Sequence, residues 1–163
     1  MNLLELLFWV GNIIMASYLV GVLIAFGMTK SISATFYVLP KGLKWMFKAA
    51  LIGYSIPLMI VAFESTWMAM GGLSIIFTAL AADSRRHEDI EDIHLIGSVL
   101  GIGLTMIGFI LTDKFELLDT WWIAVIQGAF TIFALIIKMR FRIYFIELLA
   151  IILSSFGVCQ LFL

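Results

Sequence analysis

The sequence is short of most residues that build soluble sites or scaffolds. Its 163 residues include one cysteine, two histidines and two prolines, and only 13% are charged. Cys159 has no possible intrachain partner, which excludes a disulfide framework. Intrinsic disorder is excluded by high hydrophobicity and low charge, and a collagen-like chain by glycines without a three-residue period. Walker A and dinucleotide fingerprints are missing, so no soluble cofactor is expected. What the chain has in excess is apolar surface: 63% of residues are hydrophobic, where a soluble domain has about 45–50%. A polytopic helical membrane protein survives these exclusions, because each crossing uses about 20 apolar residues.

Five interruptions divide the chain into six apolar runs, at about 6–27, 45–63, 66–82, 93–112, 120–137 and 143–162. Period-2 alternation is absent, which argues against a transmembrane barrel. The runs predict an all-α, six-helix integral membrane bundle forming a single domain over 1–163. A five-span alternative fuses runs two and three. The third run is the short one, and Pro57 falls inside the second. Nine of the ten Lys and Arg follow runs one, three and five (Lys30, Lys41, Lys44, Lys48, Arg85, Arg86, Lys138, Arg140, Arg142), with Lys114 alone opposite. Short basic loops stay cytoplasmic, so both termini are expected outside a bacterial cytoplasmic membrane. Topology thus accounts for the basic residues, and nucleic acid is not an expected partner. The first run has no basic residue before it and no Ala-x-Ala cleavage site, so it reads as a retained span.

Small residues predict where helices approach: Ser17, Gly21 and Ala25 on one face of span one, Gly97 and Gly101 on span four. Trp45, Trp121 and Trp122 fit interfacial anchors, and Asn12, Gln127 and Gln160 fit interhelical glue.

Three polar features share the basic, cytoplasmic side. The first is the 17-residue loop 28–44, with hydroxyls at Thr29, Ser31, Ser33 and Thr35. Such a run caps helices or binds a phosphate or lipid head group. The second is the acidic stretch 83–94, holding both histidines. His87-Glu88-x-x-Glu91 lacks the second histidine of a zinc protease, which leaves Asp83, His87 and Glu91 as weak metal candidates. His94 opens the fourth apolar run, at a membrane boundary where histidine titrates near neutral pH. The third is Glu147, about 7–8 Å into span six beyond Arg142. A carboxylate at that depth faces a bundle interior, a cavity or a partner.

The stretch Lys30-Ser31-Ile32-Ser33-Ala34-Thr35-Phe36-Tyr37 with Leu39-Pro40-Lys41 resembles small multi-span proteins of gut bacteria and their phages. The block Asp92-Ile93-His94-Leu95-Ile96-Gly97-Ser98 looks like part of the same pattern. More distantly, the arrangement is similar to the Sfk/DRAM/Frag membrane proteins. The resemblance implies a six-span fold and, from the eukaryotic relatives, membrane lipid handling at Ser31, Ser33 and His94. Similarity to the CREST group stops at the metal: that group uses three histidines, whereas this chain has two and no His-x-x-x-His.

Together these features predict a non-enzymatic or accessory protein that binds membrane lipid, a protein partner or a second copy of itself. The expected ligand residues are Ser31, Ser33, Thr35, His94 and Glu147. Two alternatives stand beside it: a lipid hydrolase using His94, Glu147 and Ser33, and a small channel or transporter.

Overall fold

The computed structural model describes residues 2–61, 65–82, 90–111 and 120–160, with the side chains of 61 and 90–95 outside that description. Its regular structure is helical, with no strand among the described residues. Helix α1 spans Leu3–Phe26, and the short α2 Thr35–Val38 and a 3₁₀ turn, Lys41–Leu43, follow it. The longer helices α3 (Lys44–Val61), α4 (Thr66–Ala81), α5 (Ile90–Leu111), α6 (Trp121–Ile136) and α7 (Arg142–Cys159) complete the chain.

The ends of these helices have local causes. The Asn2 side chain accepts the Glu5 N–H at 2.8 Å, capping α1. Gly27, at φ 75°, ends it in a backbone region that other residues avoid. Ser65 caps α4 by accepting the Met68 N–H. The second and third apolar runs are therefore two separate helices that pack against each other.

Three helices are long and apolar enough to cross a membrane: Leu3–Phe26, Lys41–Ile60 (which includes the 3₁₀ turn) and Arg142–Cys159. Thr66–Ala81, Ile96–Leu111 and Trp121–Ile136 are shorter apolar helices. The sequence marks only the third run as short, but α6 matches α4 at 16 residues. The outer surface is apolar on every long helix, with Ile24 81% and Ile136 71% exposed. Water does not accept such a surface, and lipid does. This is a membrane protein. Trp45 and Trp121 are exposed at helix starts, as interfacial anchors require, while Trp122 packs edge-on against Phe156.

Helices α1, α3, α4 and α5 pack in sequence; α6 packs on α5, and α7 contacts both α5 and α6. Polar bonds extend α7 further. The Ser155 hydroxyl donates to Asn12 Oδ1 at 2.5 Å, reaching α1. The Tyr54 hydroxyl donates to the Ile151 carbonyl at 3.1 Å, reaching α3. The Gln127 amide joins α6 to the Ile146 carbonyl at 3.1 Å, its own Oε1 being buried without a partner among the described residues. Asn12 and Gln127 thus act as the expected interhelical glue. Helix α7 buries one broad face, from Tyr144 to Val158.

Small residues set the closest approaches. Pro57 removes the donor that would satisfy the Gly53 carbonyl, and that carbonyl lies where a Cβ on Gly11 would stand. Helix α1 therefore approaches α3 most closely where α3 lacks a backbone bond. Gly97 and Gly101 face Thr78 and Ile75 of α4, as their spacing suggests. The Ser17, Gly21 and Ala25 face behaves otherwise: it is exposed, and nothing lies within 4 Å of a Cβ built on Gly21. Gly157 is crowded by side chains, with a Cβ there meeting the Phe109 ring and Ile123. Gly157→Ala should therefore destabilise by about 1–3 kcal/mol through overpacking. Gly21→Ala should leave the thermal midpoint in detergent unchanged or slightly raised. Equal midpoints for the two variants would refute this packing.

Candidate functional site: a cavity capped by the first loop

Beyond Gly27 the chain turns back onto the bundle end. Ile32, Thr35, Phe36 and Leu39 are buried there, although they belong to a polar-looking loop. Phe36 packs on Phe47 with ring centroids 5.4 Å apart, and Lys44 Nζ lies 4.4 Å from the Phe36 centroid. Thr35 donates its hydroxyl proton to the Ile32 carbonyl at 2.5 Å, so the Tyr18 hydroxyl 2.5 Å away must donate to Thr35 Oγ1. This anchors the loop to α1.

The second anchor is Glu147, 7% exposed, whose Oε2 accepts the backbone N–H of Ile32. The Ser33 backbone and the Ser98 hydroxyl lie beside the same carboxylate. Loop one, α5 and α7 therefore meet at one side chain. It also places the basic residues around loop one at the same bundle end as Lys138, Arg140 and Arg142.

Beneath this junction lies a small cavity of about 60 Å³, open on one side. Its walls are mostly aliphatic, from Met15 on α1, Leu51 and Leu58 on α3, Ile75 on α4 and Ile102 on α5. Hydroxyls also occur along the wall, yet their bonds are spent nearby. Thr78 donates to the Ser74 carbonyl at 2.9 Å and Thr105 to the Gly101 carbonyl at 2.7 Å. Tyr54 is bonded to the Ile151 carbonyl. The polar end is set by Ser33, Ser98 and Glu147. The cavity's make-up is that of a ligand site, apolar with few convergent polar groups, although its volume is small.

The sequence-derived candidates separate clearly. Ser33 and Glu147 share the cavity. Ser31 is a turn residue, accepting the Ala34 N–H at 3.0 Å and lying 3.0 Å from Ser33 Oγ. Thr35 is committed to Tyr18 and Ile32. The backbones of Glu91 and His94 belong to α5, His94 one turn before Ser98, but both side chains lie outside the described residues. Asp83 and His87 lie outside them altogether. Among the described residues, no group of three or more His, Cys, Asp or Glu could hold a metal. Sequence reasoning missed Tyr18 and the role of Ser98, a hydroxyl inside an apolar run being its only signal. Comparison with protein families, characterised proteins and solved structures finds no match for the chain.

Removing the carboxylate should free the loop without unfolding the bundle. In Glu147→Ala, hydrogen exchange at the Ile32 and Ser33 amides should rise at least about tenfold, since a buried donor loses its partner. Exchange in the α4–α5 pair should stay unchanged. Unaltered exchange at Ile32 would show that Glu147 does not hold the loop.

Proposed function

We propose that this chain is a six-span protein of a bacterial cytoplasmic membrane, with both termini outside, that binds a lipid-type molecule without transforming it. The observation that carries the reading is the cavity: aliphatic walls within the bundle, ending in Ser33, Ser98 and Glu147 at the basic end. A molecule with an apolar body and one polar end matches that division. Six crossings follow from the six apolar runs, the shorter helices being matched by local thinning of the bilayer. The orientation rests on the basic residues gathered at the end that Glu147 and loop one define. Kinship with the small multi-span proteins of gut bacteria and phages, and distantly with the Sfk/DRAM/Frag group, belongs to the same proposal.

Binding is favoured over hydrolysis because Glu147 accepts the Ile32 backbone N–H, with the Ser33 backbone and the Ser98 hydroxyl beside it. A carboxylate occupied in this way serves as a fixed acceptor, not as a free general base. The hydrolase reading would need His94 and Glu147 together. Lipid turnover by the wild-type protein that disappears in His94→Ala would establish it. The channel reading would be established by ion or proton flux in reconstituted vesicles.

Protein purified with its native lipids should carry one lipid-type molecule per chain in native mass spectrometry. Ala150→Leu, which fills the cavity wall, should lower that occupancy about tenfold by overpacking the site. Equal occupancy in both proteins would place the lipid elsewhere. For topology, single cysteines at Lys41 and Lys138 in a Cys159→Ser background should resist membrane-impermeant labelling of intact cells. One at Asn2 should react.

A further inference from the structure

The charge of this chain is divided between its two ends. Nine basic residues belong to the end marked by loop one, and only Lys114 belongs to the other. Six of the eleven acids share the basic end: Glu147, buried beneath loop one, and five in the stretch 83–92. Ion pairs within that end redistribute charge but leave the excess of basic over acidic residues in place.

Topology accounts for the number of these cations, and the fold sets how they are held. Lys41, Lys138, Arg140 and Arg142 are exposed, and Lys44 is half-buried. Lys44 Nζ lies 4.4 Å from the Phe36 centroid, and Arg140 Cζ 4.8 Å from that of Phe141. A ring face orients a cation without neutralising it, unlike a carboxylate. Lys138 and Phe141, at φ 48° and 59°, are both in the left-handed region that residues other than glycine seldom adopt. The turn between α6 and α7 is therefore sharp, and it gathers Lys138, Arg140 and Arg142 within five residues.

Both groups of cations lie at head-group depth. Trp45, next to Lys44 at the start of α3, is 63% exposed, and an indole there marks the boundary between lipid and water. The α6–α7 turn follows directly on the lipid-exposed Ile136 and Ile137. Cations in that layer face the phosphates of the leaflet.

We propose that this end of the bundle binds the head groups of anionic phospholipids, through Lys41 and Lys44 at the start of α3 and Lys138, Arg140 and Arg142 at the α6–α7 turn. A phosphodiester head with net negative charge complements the basic excess. A zwitterionic head brings an ammonium that the same cations repel. The surface is separate from the cavity and does not rest on what occupies it.

The test holds the acyl chains constant and varies the head. Full-length protein, delipidated in detergent, is titrated with phosphatidylglycerol and phosphatidylcholine of identical chains, and bound lipid is read by native mass spectrometry. Phosphatidylglycerol should bind at least about tenfold more tightly, since each basic residue near an anionic surface contributes about fivefold. Combined Lys138→Gln, Arg140→Gln and Arg142→Gln should lose most of that preference, and Lys41→Gln with Lys44→Gln should lower it severalfold. Lys114→Gln should leave it unchanged. Arg140→Lys with Arg142→Lys keeps the charge and should keep most of the preference, which separates lost electrostatics from misfolding. Equal binding of the two lipids by the wild type overturns the proposal. So does a preference that survives both sets of glutamine substitutions, or one that the charge-keeping variant loses. Ala150→Leu should leave the preference intact; its loss there would put the anionic lipid in the cavity, overturning this proposal while the cavity reading stands.

Discussion

The structure depends on one buried carboxylate. Glu147 accepts the Ile32 N–H from a loop 115 residues away in sequence, with the Ser33 backbone and the Ser98 hydroxyl close by. Placing a carboxyl group inside an apolar bundle is costly unless hydrogen bonds replace its water. Here the loop and α5 supply them. The same bonds satisfy backbone donors that have no helical partner at that point. Each side therefore solves the other's desolvation problem, and neither has an obvious substitute in an apolar surrounding.

That junction explains why α7 is buried although it comes last. It must lie where loop one, α5 and α3 can all reach it, and Tyr54 and Ser155 reinforce the placement from α3 and toward α1. The bundle consequently buries one broad face of α7 and has a cavity beside it, while Ile152 and Phe156 stay exposed. Close packing elsewhere comes from glycines at crossings, with Gly11 opposite the Gly53 carbonyl that Pro57 leaves unbonded. There the backbones touch, and no side chain fits between them. The cavity lining stays largely aliphatic because Thr78 and Thr105 bond their own helices and Tyr54 bonds α7, leaving polarity at one end.

Much of this was legible in the sequence. The apolar runs and the helices coincide to within a few residues, since lipid-exposed segments must satisfy their backbones internally and turns carry the remaining polar residues. The polar exceptions were legible too: Glu147 and Ser33, picked out separately, stand at one cavity. Other readings failed for physical reasons. Ser17, Gly21 and Ala25 look like a packing face, yet small residues permit close approach without compelling it, and the neighbour sits at Gly11 instead. Loop one reads as polar and solvated, but Ile32, Phe36 and Leu39 turn it into a packed cap. Ser31 and Thr35, candidates by residue type, spend their hydroxyls within the loop and on Tyr18.

The sequence by itself determined the solvent, the helical class and the residues too polar to be there by accident, because transfer free energies and backbone satisfaction act on each segment independently. Only the tertiary structure decided which exceptions meet. The meeting of Ile32 with Glu147 depends on how six apolar helices pack, and no periodicity or spacing encodes a contact between chain segments so far apart. From that contact follow the capped loop, the buried final helix and a cavity with an acceptor at one end.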